Sequence, residues 1–189
     1  MPNPLFQIIT QLGPISPELE LHLNEKILHK SFPKRHIILH QGEVCNYLYF
    51  VAKGLLRAYY ERNGEDTSNW FMMENDFVIS VNSFYKRIPS AESIEVLEDC
   101  ELFCIHYNDL MEIYERHKEF NVIGRKLTEM YYCKSEERIQ SLRGHQAAEK
   151  YEFLLLNYPE IVHRVSVGYL ASYLGITLQT LSRIRGIMR

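Results

Sequence analysis

Apolar positions change their period twice along the chain. Over the first thirty residues they recur at helical spacing, with Leu5, Ile8, Ile9 and Leu12 on one face and Leu19, Leu23 and Ile27 on another. Gly13-Pro14 and Ser16-Pro17 separate the two stretches. Beyond Pro33 the runs become short or alternating: "HIILHQGE", "YLYFVAKG", "LLRAYYERNG", "TSNWFMMEND" and "IEVLEDCELFCIH". Gln41-Gly42, Lys53-Gly54, Asn63-Gly64 and Asn75-Asp76 punctuate them. Turn signals at this spacing, an Asn-Gly hairpin among them, predict an antiparallel β-barrel or sandwich over about residues 33–107.

From Asn108 the helical period returns, and Asn108 is placed to cap "DLMEIYERH". In "KEFNVIGRKLTEMYYCKSEERIQSLRG", Phe120, Ile123, Leu127 and Met130 recur at steps of three and four. A helix of roughly 25 residues reaches nearly 40 Å, longer than a small barrel needs. The seam is therefore expected to meet its twin in a homodimer rather than only to cover the barrel. Gly144 is expected to end this helix, and "HQAAEKYEFLLLNYPE" to form another that stops before Pro159. The fold class predicted is α+β: leading helices with a jelly-roll-like antiparallel β unit over residues 1–117, a dimerisation helix over 118–143 and a helical unit over 144–189.

Composition narrows the class. The chain has 189 residues, 46% hydrophobic and 24% charged, which is the balance of a globular protein. No apolar run approaches the ~20 residues of a membrane span. The start, "MPNPLFQIITQLGPISPE", does not read as a secretory leader, so a cytoplasmic protein is expected. Cys45, Cys100, Cys104 and Cys133 lack the paired spacing of a metal site and are expected to be thiols. His36 and His40 share a strand face, but no third ligand follows at suggestive spacing, so no metal is expected.

Charge is divided unevenly. No Asp or Glu lies between Ile161 and Arg189, while Arg164, Arg183, Arg185 and Arg189 do; since the chain sums to −3, the remainder carries about −7. An anionic partner at the basic end is the natural reading. Within that end, "LASYLGITLQTLSRIR" has the spacing of a helix-turn-helix. Leu170, Leu174, Ile176, Leu181 and Ile184 form its inner face, Ala171 lets the helices cross closely, and Gly175 suits the positive φ of the turn. Ser166 and Thr177 can cap the two helices. That leaves Leu178, Gln179, Ser182 and Arg183 to face the major groove of double-stranded DNA. Ser166, Thr177, Thr180 and Arg185 suit the phosphate backbone.

The whole layout resembles the Crp/Fnr family of bacterial transcription regulators. The resemblance rests on the order of parts, on "QGE" at Gln41–Glu43, "VAKG" at Val51–Gly54, and "VSVGYLASYLGITLQTLSRIR". It implies that the β unit is a β-roll sensor and residues 144–189 a DNA-binding domain. The whole would be a homodimeric activator or repressor, not an enzyme, acting on a pseudo-palindromic operator under a small-molecule effector. Two departures stand out. Family members that bind cyclic nucleotides carry Phe-x-Gly-Glu followed by Arg-Ser, whereas this chain reads "FVISVNSFYKRIPSAES". Ile79 and Ser80 replace Gly-Glu, Ser90 and Ala91 replace Arg-Ser, and Arg87 lies three residues early, so cyclic AMP is not expected to bind in the usual way. No cysteine precedes Cys45, against the iron–sulfur branch. The sequence also stops at Met188-Arg189, so a full hairpin wing is not expected. The competing readings are a β-roll module without DNA binding and a cupin-like enzyme, which would need clustered His and Glu ligands.

Overall fold

The computed structural model describes residues 4–143 and 146–187. Two helices, α1 (Pro4–Leu12) and α2 (Pro17–Lys26), precede the strands β1 (Leu28–Phe32), β2 (Ile37–Leu39), β3 (Tyr47–Lys53), β4 (Leu56–Arg62), β5 (Glu65–Met72) and β6 (Phe77–Val78). A short α3 (Val81–Lys86) interrupts the roll before β7 (Ser93–Val96) and β8 (Cys100–His106). The chain then runs through α4 (Tyr107–Arg116), the long α5 (Lys118–Leu142), α6 (Ala147–Asn157), α7 (Pro159–Arg164), α8 (Val167–Leu174) and α9 (Leu178–Ile187). The architecture is α+β, as the change of period predicts.

The strands form two antiparallel sheets, ordered β1-β8-β3-β6 and β2-β7-β4-β5. Asn63 and Gly64 both take positive φ, 55° and 81°, and close the β4–β5 hairpin as their dipeptide predicts. Three expectations change. β1 starts at Leu28, before Pro33, because "LHKSF" pairs with β8 at a sheet edge and needs no strong apolar alternation. His106, not Asn108, caps α4: its Nδ1 accepts the Asn108 N–H at 3.2 Å. A separate short helix, α7, begins at Pro159 itself. Gly144, expected to end α5, lies outside the described residues.

Two apolar cores result. The first joins the roll to α1, α2 and α4 through residues such as Leu5, Leu19, Leu23, Phe50, Leu102 and Ile113. The second holds α6–α9 together around Leu154, Leu170, Leu181 and Ile184, and it also takes in Leu55 and Phe71 from the roll.

The α5 seam is placed differently from the expectation. Phe120 and Ile123 are only 7% and 2% exposed and belong to the first core of their own chain. Leu127 and Met130 are half-buried. Helix α4 crosses so near that a Cβ on Gly124 would lie 2.1 Å from the Tyr114 hydroxyl, so glycine alone permits the approach. The upper half of the seam thus covers the roll, and Phe120 and Ile123 are not available to a second copy. The face of α5 left in solvent carries Val122, Arg125, Glu129, Tyr132, Cys133 and Glu136.

Candidate nucleic-acid interface

The helix-turn-helix is built by its caps and its turn. Ser166 Oγ accepts the Tyr169 N–H at 3.3 Å and starts α8. Gly175 ends α8 in the left-handed region at φ 66°, and Ile176 N–H returns to Ala171 O at 3.0 Å. Thr177 Oγ1 then accepts the Thr180 N–H at 3.1 Å and opens α9. Leu170, Ala171, Leu174, Leu181 and Ile184 are all buried between the two helices. The opposite side of α9 presents Leu178, Gln179, Ser182 and Arg183 to solvent, with Arg185 half-buried at the flank. The hydroxyls of Ser166 and Thr177 reach the surface at helix N-termini, where backbone N–H groups favour an anion.

Arg164 does not join this surface. Its guanidinium bridges Glu74 (Nη1 to Oε2, 2.6 Å) and Glu98 (Nη2 to Oε2, 2.7 Å; Nε to Oε1, 3.1 Å). The hydrogen bonds to Glu98 and Glu74 raise its pKa further above an already high value. Burial works against ionising Glu74, yet Arg164 and the Gly54 N–H at 2.7 Å hold that carboxyl below its ordinary value. One of the basic residues counted from sequence is therefore a tie to the roll.

A second tie is Arg57 of β4, which is 1% exposed. Its guanidinium carbon lies 4.3 Å from the ring centre of Tyr59 and 3.7 Å from that of Tyr169 on α8. Its Nη2 donates to Asp66 and Glu95, each at 2.8 Å. Beside it, Ser172 Oγ accepts the Ser68 N–H at 3.0 Å and meets Asp66 O at 3.3 Å. Helix α8 thus lies along the β4–β5 hairpin. The charged residue in the apolar run "LLRAYY" was the signal that sequence reading passed over.

The stretch around α3 is closed on itself. Ser80 and Ser90 are buried with their hydroxyls 2.9 Å apart, and Ser90 donates to Glu92 O at 2.6 Å. Ile79 is half-buried and Ala91 exposed. Arg87 donates to Cys45 O at 2.7 Å, Phe84 O at 3.1 Å and Asn46 Oδ1, and stacks on Tyr107 at 4.1 Å. It anchors the end of α3. Among the described residues no group of three His, Cys, Asp or Glu side chains could hold a metal ion.

Residues 29–117 match the protein family described as the cyclic nucleotide-binding domain. Among solved structures, FixK2 from Bradyrhizobium japonicum superposes with a TM-score of 0.70 at 21% identity, over 86% of this chain and 84% of that one. A transcriptional regulator assigned to the crp/fnr family from Eubacterium rectale gives 0.72 at 16% identity, over 92% and 85%. The fold is that of the Crp/Fnr regulators. CLP of Xanthomonas campestris, a c-di-GMP responsive global regulator, shares this Crp/Fnr fold at a TM-score of 0.68 and 17% identity, over 92% and 91%. A comparison with curated protein sequences finds no match. Within this fold, α8 and α9 have the geometry of a helix-turn-helix. Among the described residues no helix is long and apolar enough to cross a membrane.

Proposed function

We propose that the protein is a dimeric, sequence-specific DNA-binding transcription regulator of the Crp/Fnr type, cytoplasmic and without enzymatic activity. One observation carries this reading. The inner face of α9 is buried while its outer face presents Gln179, Ser182 and Arg183 in a stretch that contains no carboxylate. Gln can pair bidentately with adenine, Arg with guanine, and Leu178 can touch a thymine methyl. Ser166, Thr177, Thr180 and Arg185 supply phosphate contacts that set the register. Two copies related by a two-fold axis would read a pseudo-palindrome with half-sites about one helical turn apart.

No cyclic nucleotide held in the usual way is part of this reading, and a regulator without an effector fits it as well as one with an unidentified small molecule. Ser80 and Ser90 satisfy each other, and Arg87 is committed to Cys45, Asn46 and Tyr107. Arg87 is therefore not free for a cyclic phosphate, whose desolvation without a charged partner is strongly unfavourable. Selection of bound sequences from random duplex DNA tests the main reading. A symmetric consensus is the expected result; recovery of unenriched sequence would sink it.

A further inference from the structure

Strand β5 lies at the edge of its sheet, and the helical unit after α5 rests on the roll at three separate points, two of them on this strand. At the first, Tyr169 of α8 covers the Arg57 guanidinium at 3.7 Å. Beside it, Ser172 Oγ accepts the Ser68 N–H at 3.0 Å and donates to Asp66 O at 3.3 Å, serving β5 as a neighbouring strand would. Tyr173 extends the contact, its ring 5.5 Å from that of Phe71. The second point lies between α6 and α7, where Tyr158 meets the Trp70 ring edge-on at 6.4 Å. Arg138 of α5 lies over the same indole at 4.5 Å. The third is Arg164 at the end of α7, held by Glu74 and Glu98. Contacts at three separated places resist both rotation and sliding of the unit.

Helix α8 therefore carries two stripes. Leu170, Ala171 and Leu174 are buried with α9 in the second core, while Tyr169, Ser172 and Tyr173 face the roll. We infer that the β4–β5 hairpin is the mount that fixes the direction of α9, which makes Tyr169 and Ser172 positioning residues for the spacing of two half-sites. The inference rests on the two-fold operator proposed above and adds what sets its spacing. Once one half-site is held, binding the second is intramolecular, so its gain depends on how well the geometry already fits. One added base pair moves the half-sites about 3.4 Å apart and turns one by roughly 35° about the duplex axis. A fixed mount cannot follow that step. A released one can, at the cost of being ordered anew on every duplex.

Tyr169→Leu/Ser172→Ala releases the mount from the α8 side and leaves Arg57 paired with Asp66 and Glu95. Fluorescence anisotropy on the full chain compares the selected palindrome, versions with one central base pair added or removed, and a single half-site duplex. For the parent, either change of spacing is expected to weaken binding by about thirtyfold or more. For the double variant, palindrome affinity should fall about tenfold and the spacing penalty should shrink to about threefold or less. Its half-site affinity should stay within about twofold of the parent's, because no reading residue is touched and the helix-turn-helix remains folded. Tyr169→Phe keeps the ring over Arg57 and should keep the parent's penalty. Sedimentation equilibrium should return the parent's mass for both variants; a lower mass would trace the effect to the dimer and overturn the mount. A parent indifferent to spacing, or a double variant with the parent's penalty, also overturns the mount, while half-site binding leaves DNA reading intact. A parent that binds no duplex removes the regulator reading and the mount with it.

Discussion

Helix α9 and the stretch around α3 use polar side chains in opposite ways. On α9, Gln179, Ser182 and Arg183 point to solvent and make no hydrogen bond among the described residues. Around α3, Ser80, Ser83, Ser90 and Arg87 are each bonded within the chain, Ser83 accepting the Cys45 N–H at 2.8 Å and donating to Ile88 O at 2.6 Å. Under the proposed function the open set is free to meet DNA, whereas the closed set is fitted to the fold. Substitutions should divide along the same line: closed residues change stability, open ones change binding.

The largest effect is expected at Arg57, the most deeply closed of the charged groups. Arg57→Ala would strand Glu95 and Asp66 and empty the space between Tyr59 and Tyr169, lowering stability by about 3 kcal/mol. Urea unfolding measures this, and a change under 1 kcal/mol would show that the latch contributes little. Next comes Arg183→Ala, expected to weaken operator binding by ~1–3 kcal/mol with the melting temperature unchanged. If fluorescence anisotropy shows equal losses on operator and random duplex, Arg183 grips phosphate instead of reading a base.

Ser90→Ala sharpens the comparison from the other side. Removing one hydroxyl from a buried pair should cost about 1 kcal/mol of stability and leave DNA affinity unchanged. In the same spirit, cyclic AMP and cyclic GMP should produce no heat in titration calorimetry; micromolar binding would reopen the cassette as a nucleotide site.

The smallest effect concerns acid. Glu74 has a folded pKa below its ordinary value of 4.5, so its pairing with Arg164 contributes stability above that pH and loses it as pH falls through the lower folded value. Both partners are partly exposed, which keeps the contribution to a few tenths of a kcal/mol after solvent screening. Parent and Glu74→Gln should therefore begin to converge in stability as pH falls below 4.5; a constant gap throughout the acid range would assign the difference to something other than ionisation.

Much of the helix-turn-helix was legible in the sequence because each of its constraints is local. Ser166, Gly175 and Thr177 act within a few residues of themselves, and the burial of Leu170, Leu181 and Ile184 follows from helical spacing alone. The Asn63-Gly64 hairpin was readable for the same reason. What stayed hidden depends on long-range packing. A periodic seam shows that α5 buries one face but not against what, so Phe120 and Ile123 were read as a dimer contact although they lie in the core of their own chain. Arg164 looked like another basic residue until Glu74 and Glu98, 90 and 66 residues away in sequence, were brought beside it. Edge strand β1 escaped because its pairing with β8 is made by backbone, which leaves a weak side-chain signature.

The central claim is that the open face of α9 reads sequence. The direct measurement is competition between the enriched pseudo-palindrome and a scrambled duplex of equal length, followed by anisotropy across a salt series. The account expects a preference of about a thousandfold or more for the palindrome, with affinity falling steeply as salt rises. Equal binding to both duplexes at every salt concentration, or none to either, would contradict it.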